Sequence, residues 1–154
     1  MLSSPARLTF SVDMAEPDPE ESAEEFIERR RANIDKKPWV TAKDVLQTGK
    51  HRYRIQQTTF HVQSNNPRKV HTLERIRWEE FKSKAGGQPR RDHKDGELAY
   101  RIGYWVVNRA GKWQWGQYSL ISPAVDLDDL LKKARCERTL LPESGEDTDE
   151  KDAS

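Results

Sequence analysis

The chain has 154 residues, 27 Lys/Arg against 26 Asp/Glu, and one cysteine. That length holds one domain, and the lone Cys136 excludes an internal disulfide or a cysteine-based zinc cluster. No apolar run approaches the roughly 18 residues of a membrane span, and no charged-then-apolar leader opens the sequence, so a cytoplasmic protein with no membrane contact is expected.

Leu, Ile, Val and Phe total 29 residues, few for a globular chain, but five Trp and four Tyr add large apolar area. A compact aromatic core with unfolded ends follows. The charge is unevenly spread: residues 1–40 carry a net −3, residues 41–138 +9 and residues 139–154 −5. Residues 1–20 and 141–154 are acidic and poor in apolar side chains, and are expected to be disordered because they cannot offset the entropy of ordering. Residues 21–140 then form a single α+β domain. Within it, 83–96 reads as a mobile basic loop, with Gly86, Gly87, Pro89 and Gly96 among charged residues.

In chain order, Glu21 to Ile34 is predicted helical, with Phe26, Ile27 and Ile34 on a thin apolar stripe and Arg29, Arg30 and Arg31 toward its C-terminal half. Thr41 is predicted to cap a short second helix, Ala42 to Gln47, stapled by Trp39 and Val40. From His51 the period changes to two, giving a strand to Val62 with a face change near Thr58. Ser64-Asn65-Asn66-Pro67 is a turn. Val70, Thr72, Glu74, Ile76 and Trp78 then form one face of a second strand, with His71, Leu73, Arg75 and Arg77 opposite.

Tyr100 to Val107 alternates as a third strand, and Asn108-Arg109-Ala110-Gly111 is a type I turn into a fourth strand from Trp113 to Leu120. Gly103 and Gly116 leave room for a ring to lie across the backbone. Asp126 is predicted to cap a final helix through Arg135, with Leu127, Leu130, Leu131 and Ala134 as its apolar stripe. The expected fold is α+β: a four-stranded antiparallel sheet of two hairpins, the C-terminal helix packed on one face, and one or two N-terminal helices.

Two residue sets suggest function. Arg52, Arg54, Arg75 and Arg77 lie on neighbouring strands, and with Arg54 near Arg75 they cluster on one face. Like charges opposed on a sheet are unfavourable unless an anion, most commonly phosphate, lies beside them. Trp105, Trp113 and Trp115, beside Arg101, Arg109 and Lys112, form either the core or a stacking platform for single-stranded nucleic acid. The leading expectation is a small non-enzymatic nucleic-acid-binding module, regulatory or accessory to a mobile element, with the 82–94 loop contacting phosphates and the acidic tail competing for the basic face. DNA and RNA are not distinguished.

One alternative is a protein-interaction domain with an aromatic hairpin surface. Another is a metal-dependent nuclease, because Glu80-Phe81-Lys82 has the spacing in which a carboxylate holds a cation and a lysine positions water. Its second acid would be Asp44. His51, His61, His71 and His93 are too scattered for a ligand cluster, although His61 and His71 are expected to face each other across the turn. No nucleotide-loop, hydrolase-elbow or zinc-protease signature is present, so no cofactor is expected.

Overall fold

The computed structural model describes residues 19–43, 49–83 and 93–142, with the side chains of residues 43 and 80–83 outside that description. Its elements are α1 (Ala23–Lys36), β1 (Trp39–Lys43), β2 (Gly49–Val62), β3 (Lys69–Ser83), β4 (Leu98–Val107), β5 (Trp113–Trp115) and α2 (Ala124–Cys136). The sheet is an antiparallel meander in the order β1-β2-β3-β4-β5. The α+β class and the flanking helices are as expected. The sheet has five strands because Trp39–Lys43, read from sequence as the entry to a helix, pairs with the first residues of β2. Residues 44–48, the rest of that predicted helix and the site of Asp44, lie outside the described residues, as do 1–18 and 143–154.

α1 begins at a capping box: Ser22 accepts from the Glu25 amide and Glu25 returns a bond to the Ser22 amide, an arrangement worth about 1 kcal/mol. It lays Phe26 and Ile34 on one sheet face, against Tyr53, Ile55, Phe60, Val70, Ile76 and Trp113. α2 covers the other face, where Leu130 and Ala134 bury against Leu73. β2 and β3 therefore lie between two helices rather than under one.

Two bulges set the side-chain order. Glu79 is an extra residue between the Tyr53–Trp78 and Arg52–Glu80 pairs, and Gln56 is extra between Ile55–Ile76 and Gln57–Arg75. The second reverses the inward face of β2, from Tyr53 and Ile55 to Thr58 and Phe60, two residues before the position read from sequence. β5 is only three residues long, shorter than the alternation to Leu120 suggests, since the chain leaves the sheet after Gly116 donates to the Tyr104 carbonyl. The Asn108 side chain accepts from the Ala110 and Lys112 amides, and Gly111 takes φ 76°, which completes the predicted turn.

Candidate functional site

On the α2 side of the sheet, the end formed by β1, β2 and β3 carries the cross-strand row Trp39–Arg54–Arg77. The guanidinium carbons of Arg52 and Arg54 each lie 5.4 Å from the Trp39 ring centroid, and that indole is 39% exposed. Glu79 accepts from the Trp39 indole N–H at 3.2 Å and lies 3.7 Å from Arg52. Arg77 donates to the Gly96 carbonyl at 2.7 Å. Arg77, not Arg75, is the partner of Arg54. Arg75 faces Gln57, whose amide donates to the Glu137 carbonyl at the end of α2, and is buried there. Trp39 was read from sequence as a helix staple; the β-branched Val40 and Thr41 beside it were the available strand signal.

The hairpin indoles lie on the opposite, α1 side. Trp113 is buried, stacked on Phe26 with centroids 4.7 Å apart, and donates its indole N–H to the Glu21 carbonyl at 3.0 Å. Trp105 is half-buried between Phe26, Arg30 and Trp115. Trp115 is half-buried across Gly103, with Arg101 3.8 Å above its ring. Arg109 and Lys112 are exposed in the β4–β5 turn. The structure thus brings Arg52, Arg54 and Arg77 together and separates them from Arg101, Arg109, Lys112 and the three hairpin indoles.

Arg101 donates to the fully buried Glu74 at 3.1 Å. Arg30 approaches from α1; burial lowers its pKa, Glu74 opposes that shift and Arg101 adds to it. Burial also raises the pKa of Tyr53 nearby.

A second polar cluster ties α2 to the β2–β3 turn. Asp126, fully buried in the first turn of α2, accepts from His61 Nε2 at 2.8 Å, the Ser64 amide at 3.1 Å and the Ser64 hydroxyl at 3.0 Å. Burial favours its neutral form, but the bonds from His61 and Ser64 outweigh this and lower its pKa. Asp126 is therefore not the N-cap; Pro123 takes that position. His61 and His71 do face each other, as expected. His71 lies fully buried with Nε2 3.0 Å from Gln63 Oε1 and its pKa is lowered to about 4, first by burial and then by Lys69.

The carboxylate of Glu80 and the amine of Lys82 lie outside the described residues; on the backbone these positions pair with Arg52 and Lys50. Of the expected 83–96 loop, residues 84–92 also lie outside, while His93 stacks on Trp78 with centroids 3.6 Å apart and Gly96 donates to the Trp78 carbonyl. Among the described residues no group of three or more His, Cys, Asp or Glu could hold a metal ion, and no helix is long and apolar enough to cross a membrane. Comparison with protein-family models, curated proteins and solved structures gave no match.

Proposed function

We propose that the protein binds single-stranded nucleic acid on the open end of the β1–β2–β3 face. The observation that carries this reading is the half-open indole of Trp39 with the Arg52 and Arg54 guanidinium groups beside its ring and Arg77 next in the row. Both guanidinium groups lie within 5.4 Å of the ring centroid and leave Trp39 39% exposed. A base stacked on such a ring contributes about 1–3 kcal/mol, and the guanidinium groups are placed to take the flanking phosphates. Glu79 is the one acid among the described residues that touches this row, and its contact with the indole N–H orients the ring. Trp113 does not enter this proposal, because its ring is spent on the core.

Fluorescence anisotropy of the full chain with labelled single-stranded DNA and RNA, across a salt series, tests the proposal. Trp39→Ala should weaken binding by about 1–3 kcal/mol. Arg54→Gln and Arg77→Gln should each reduce the slope of log K against log[salt] by about 0.7, whereas Arg109→Gln leaves it unchanged. No binding at low salt, or a slope untouched by both substitutions at Arg54 and Arg77, removes the reading. Deleting residues 143–154 should tighten binding if the acidic tail competes for this face.

One observation favours a second reading, contact with a protein. Tyr100, Ile102, Ile121, Val125 and Leu127 are all exposed, on β4, on the segment after β5 and on α2, and apolar exposure that forms a contiguous patch marks interfaces. A partner held there would survive Trp39→Ala and high salt.

A further inference from the structure

Five buried polar atoms on the α1 side have no hydrogen-bond partner among the described residues: Glu74 Oε1, Thr58 Oγ1, Thr72 Oγ1, Arg30 Nε and Trp105 Nε1. Buried polar groups are nearly always paired, so five on one side of one sheet call for a shared explanation. The strand register brings three of them together. Thr58 is directly opposite Glu74, whose other neighbour is Arg101, and Thr72 is the next residue of β3 on that face, about 7 Å along the strand. From α1, the Arg30 guanidinium lies 5.2 Å from the Trp105 ring and interacts electrostatically with both Glu74 and Arg101.

The inventory is specific: two N–H donors, two hydroxyls that donate or accept, and one carboxylate oxygen that only accepts. Two guanidinium groups against one carboxylate leave an excess positive charge. An anion fits that excess, but a bare anion would set its lone pairs against Glu74 Oε1. An anion that keeps a proton donates to that oxygen instead.

We propose that this cluster binds a protonated tetrahedral oxyanion, either inorganic phosphate or the terminal phosphate of a monoester. The ligand's O–H donates to Glu74 Oε1, and its other oxygens accept from Arg30 Nε, Trp105 Nε1 and the two threonine hydroxyls. Glu74 is then the specificity element, because sulfate has no proton to offer at neutral pH. Arg101, the ion-pair partner of Glu74 at the edge of the cluster, has a side chain that is 32% exposed. The site lies on the opposite side of the sheet from Trp39 and does not depend on nucleic-acid binding.

Calorimetric titration of the full chain with inorganic phosphate, glycerol phosphate and sulfate at matched ionic strength tests this. Phosphate should bind with sulfate about 10⁴–10⁵-fold weaker, the scale on which a site built for a hydroxyl rejects an analogue lacking one. Glycerol phosphate binding as well as phosphate identifies a monoester site; phosphate alone identifies the free ion. Equal binding of phosphate and sulfate, or binding of neither, overturns the proposal. Glu74→Gln, whose amide donates to sulfate, should bring the two anions within about tenfold; undiminished discrimination in a folded variant also overturns it. Should that variant not fold, Thr72→Val gives a second check, with phosphate binding expected to weaken by about 3–10-fold and unaltered binding counting against the site.

Discussion

Replacing His71 with a side chain that does not titrate should flatten the stability of the protein between about pH 6.5 and pH 4. His71 is fully buried, and its Nε2 meets the Gln63 amide oxygen. An amide oxygen only accepts, so Nε2 carries the hydrogen and Nδ1 is bare. Nδ1 is buried with no partner among the described residues, so a proton placed there would form a buried cation with nothing to receive its N–H. That arrangement explains a pKa lowered from 6.5 to about 4, with burial the main cause and Lys69 the second.

The direction of the pH effect follows from proton counting. Between the folded and unfolded values the unfolded chain binds the extra proton, so stability is complete above about pH 6.5 and is lost as pH falls toward 4. A shift of that size corresponds to about 3 kcal/mol, at 1.36 kcal/mol per unit, a substantial part of the roughly 5–15 kcal/mol that holds an ordinary domain. Urea unfolding followed by tryptophan fluorescence at pH 7, 5.5 and 4 measures it. His71→Gln should lose about 3 kcal/mol less than the unaltered protein across this window. An identical pH slope in the variant would refute the assignment.

Asp126→Ala should destabilise the protein by at least about 1–3 kcal/mol at pH 7, because the buried contacts of His61 and Ser64 lose their acceptor. Because the folded pKa of Asp126 is lowered, its contribution is full above the unfolded value and declines as pH falls through the folded one, a more acidic window than that of His71. A loss that stays constant down to pH 2 in the same urea assay would sink this prediction. Gly103→Ala places a Cβ inside the Trp115 ring, and Gly116→Ala places one inside the Tyr104 ring. Each should cost about 1–3 kcal/mol of stability and weaken the near-ultraviolet circular dichroism of the aromatic residues. Unchanged melting and spectra would show that these rings are free to move aside.

The hairpins were legible in the sequence because alternation, turn residues and β-branched content agree there. Placing Glu74 on the same face as Val70, Thr72, Ile76 and Trp78 also followed from alternation alone, and that face is buried. The partners of Glu74 were not legible, since Arg30 comes from an α1 whose packing face depends on which side of the sheet it covers. β1 was hidden by its own punctuation. Thr41 and Gly49 read as helix start and stop, and a five-residue strand gives too few alternations to compete. The arginine cluster was legible as residues two apart on adjacent strands, but which two met depends on a register that alternation does not fix, and the strands pair Arg54 with Arg77. Asp126 fitted the pattern of a cap, and only the tertiary approach of His61 and Ser64 shows what its carboxylate does.

The net charge of the 41–138 segment is divided by the fold into two uses. Arg101 is committed to Glu74 and the Trp115 ring, and Arg75 is enclosed beside the end of α2. Neither is available to a polymer. Arg52 and Arg54 remain on the surface with their guanidinium groups beside an exposed indole, where among the described residues Glu79 is the carboxylate they meet. A sheet that needed its cations only for solubility would gain nothing from setting Arg54 opposite Arg77 on adjacent strands, where like charges repel. Binding an anionic chain removes that repulsion, so affinity should come chiefly from this row. The row then predicts the effect of a single inversion: Arg54→Glu, which sets a carboxylate opposite Arg77, should strongly weaken binding of single-stranded nucleic acid while leaving the urea midpoint unchanged or raised. Loss of binding with a lowered midpoint would mean that the arginines hold the sheet together, and the row would then be structural.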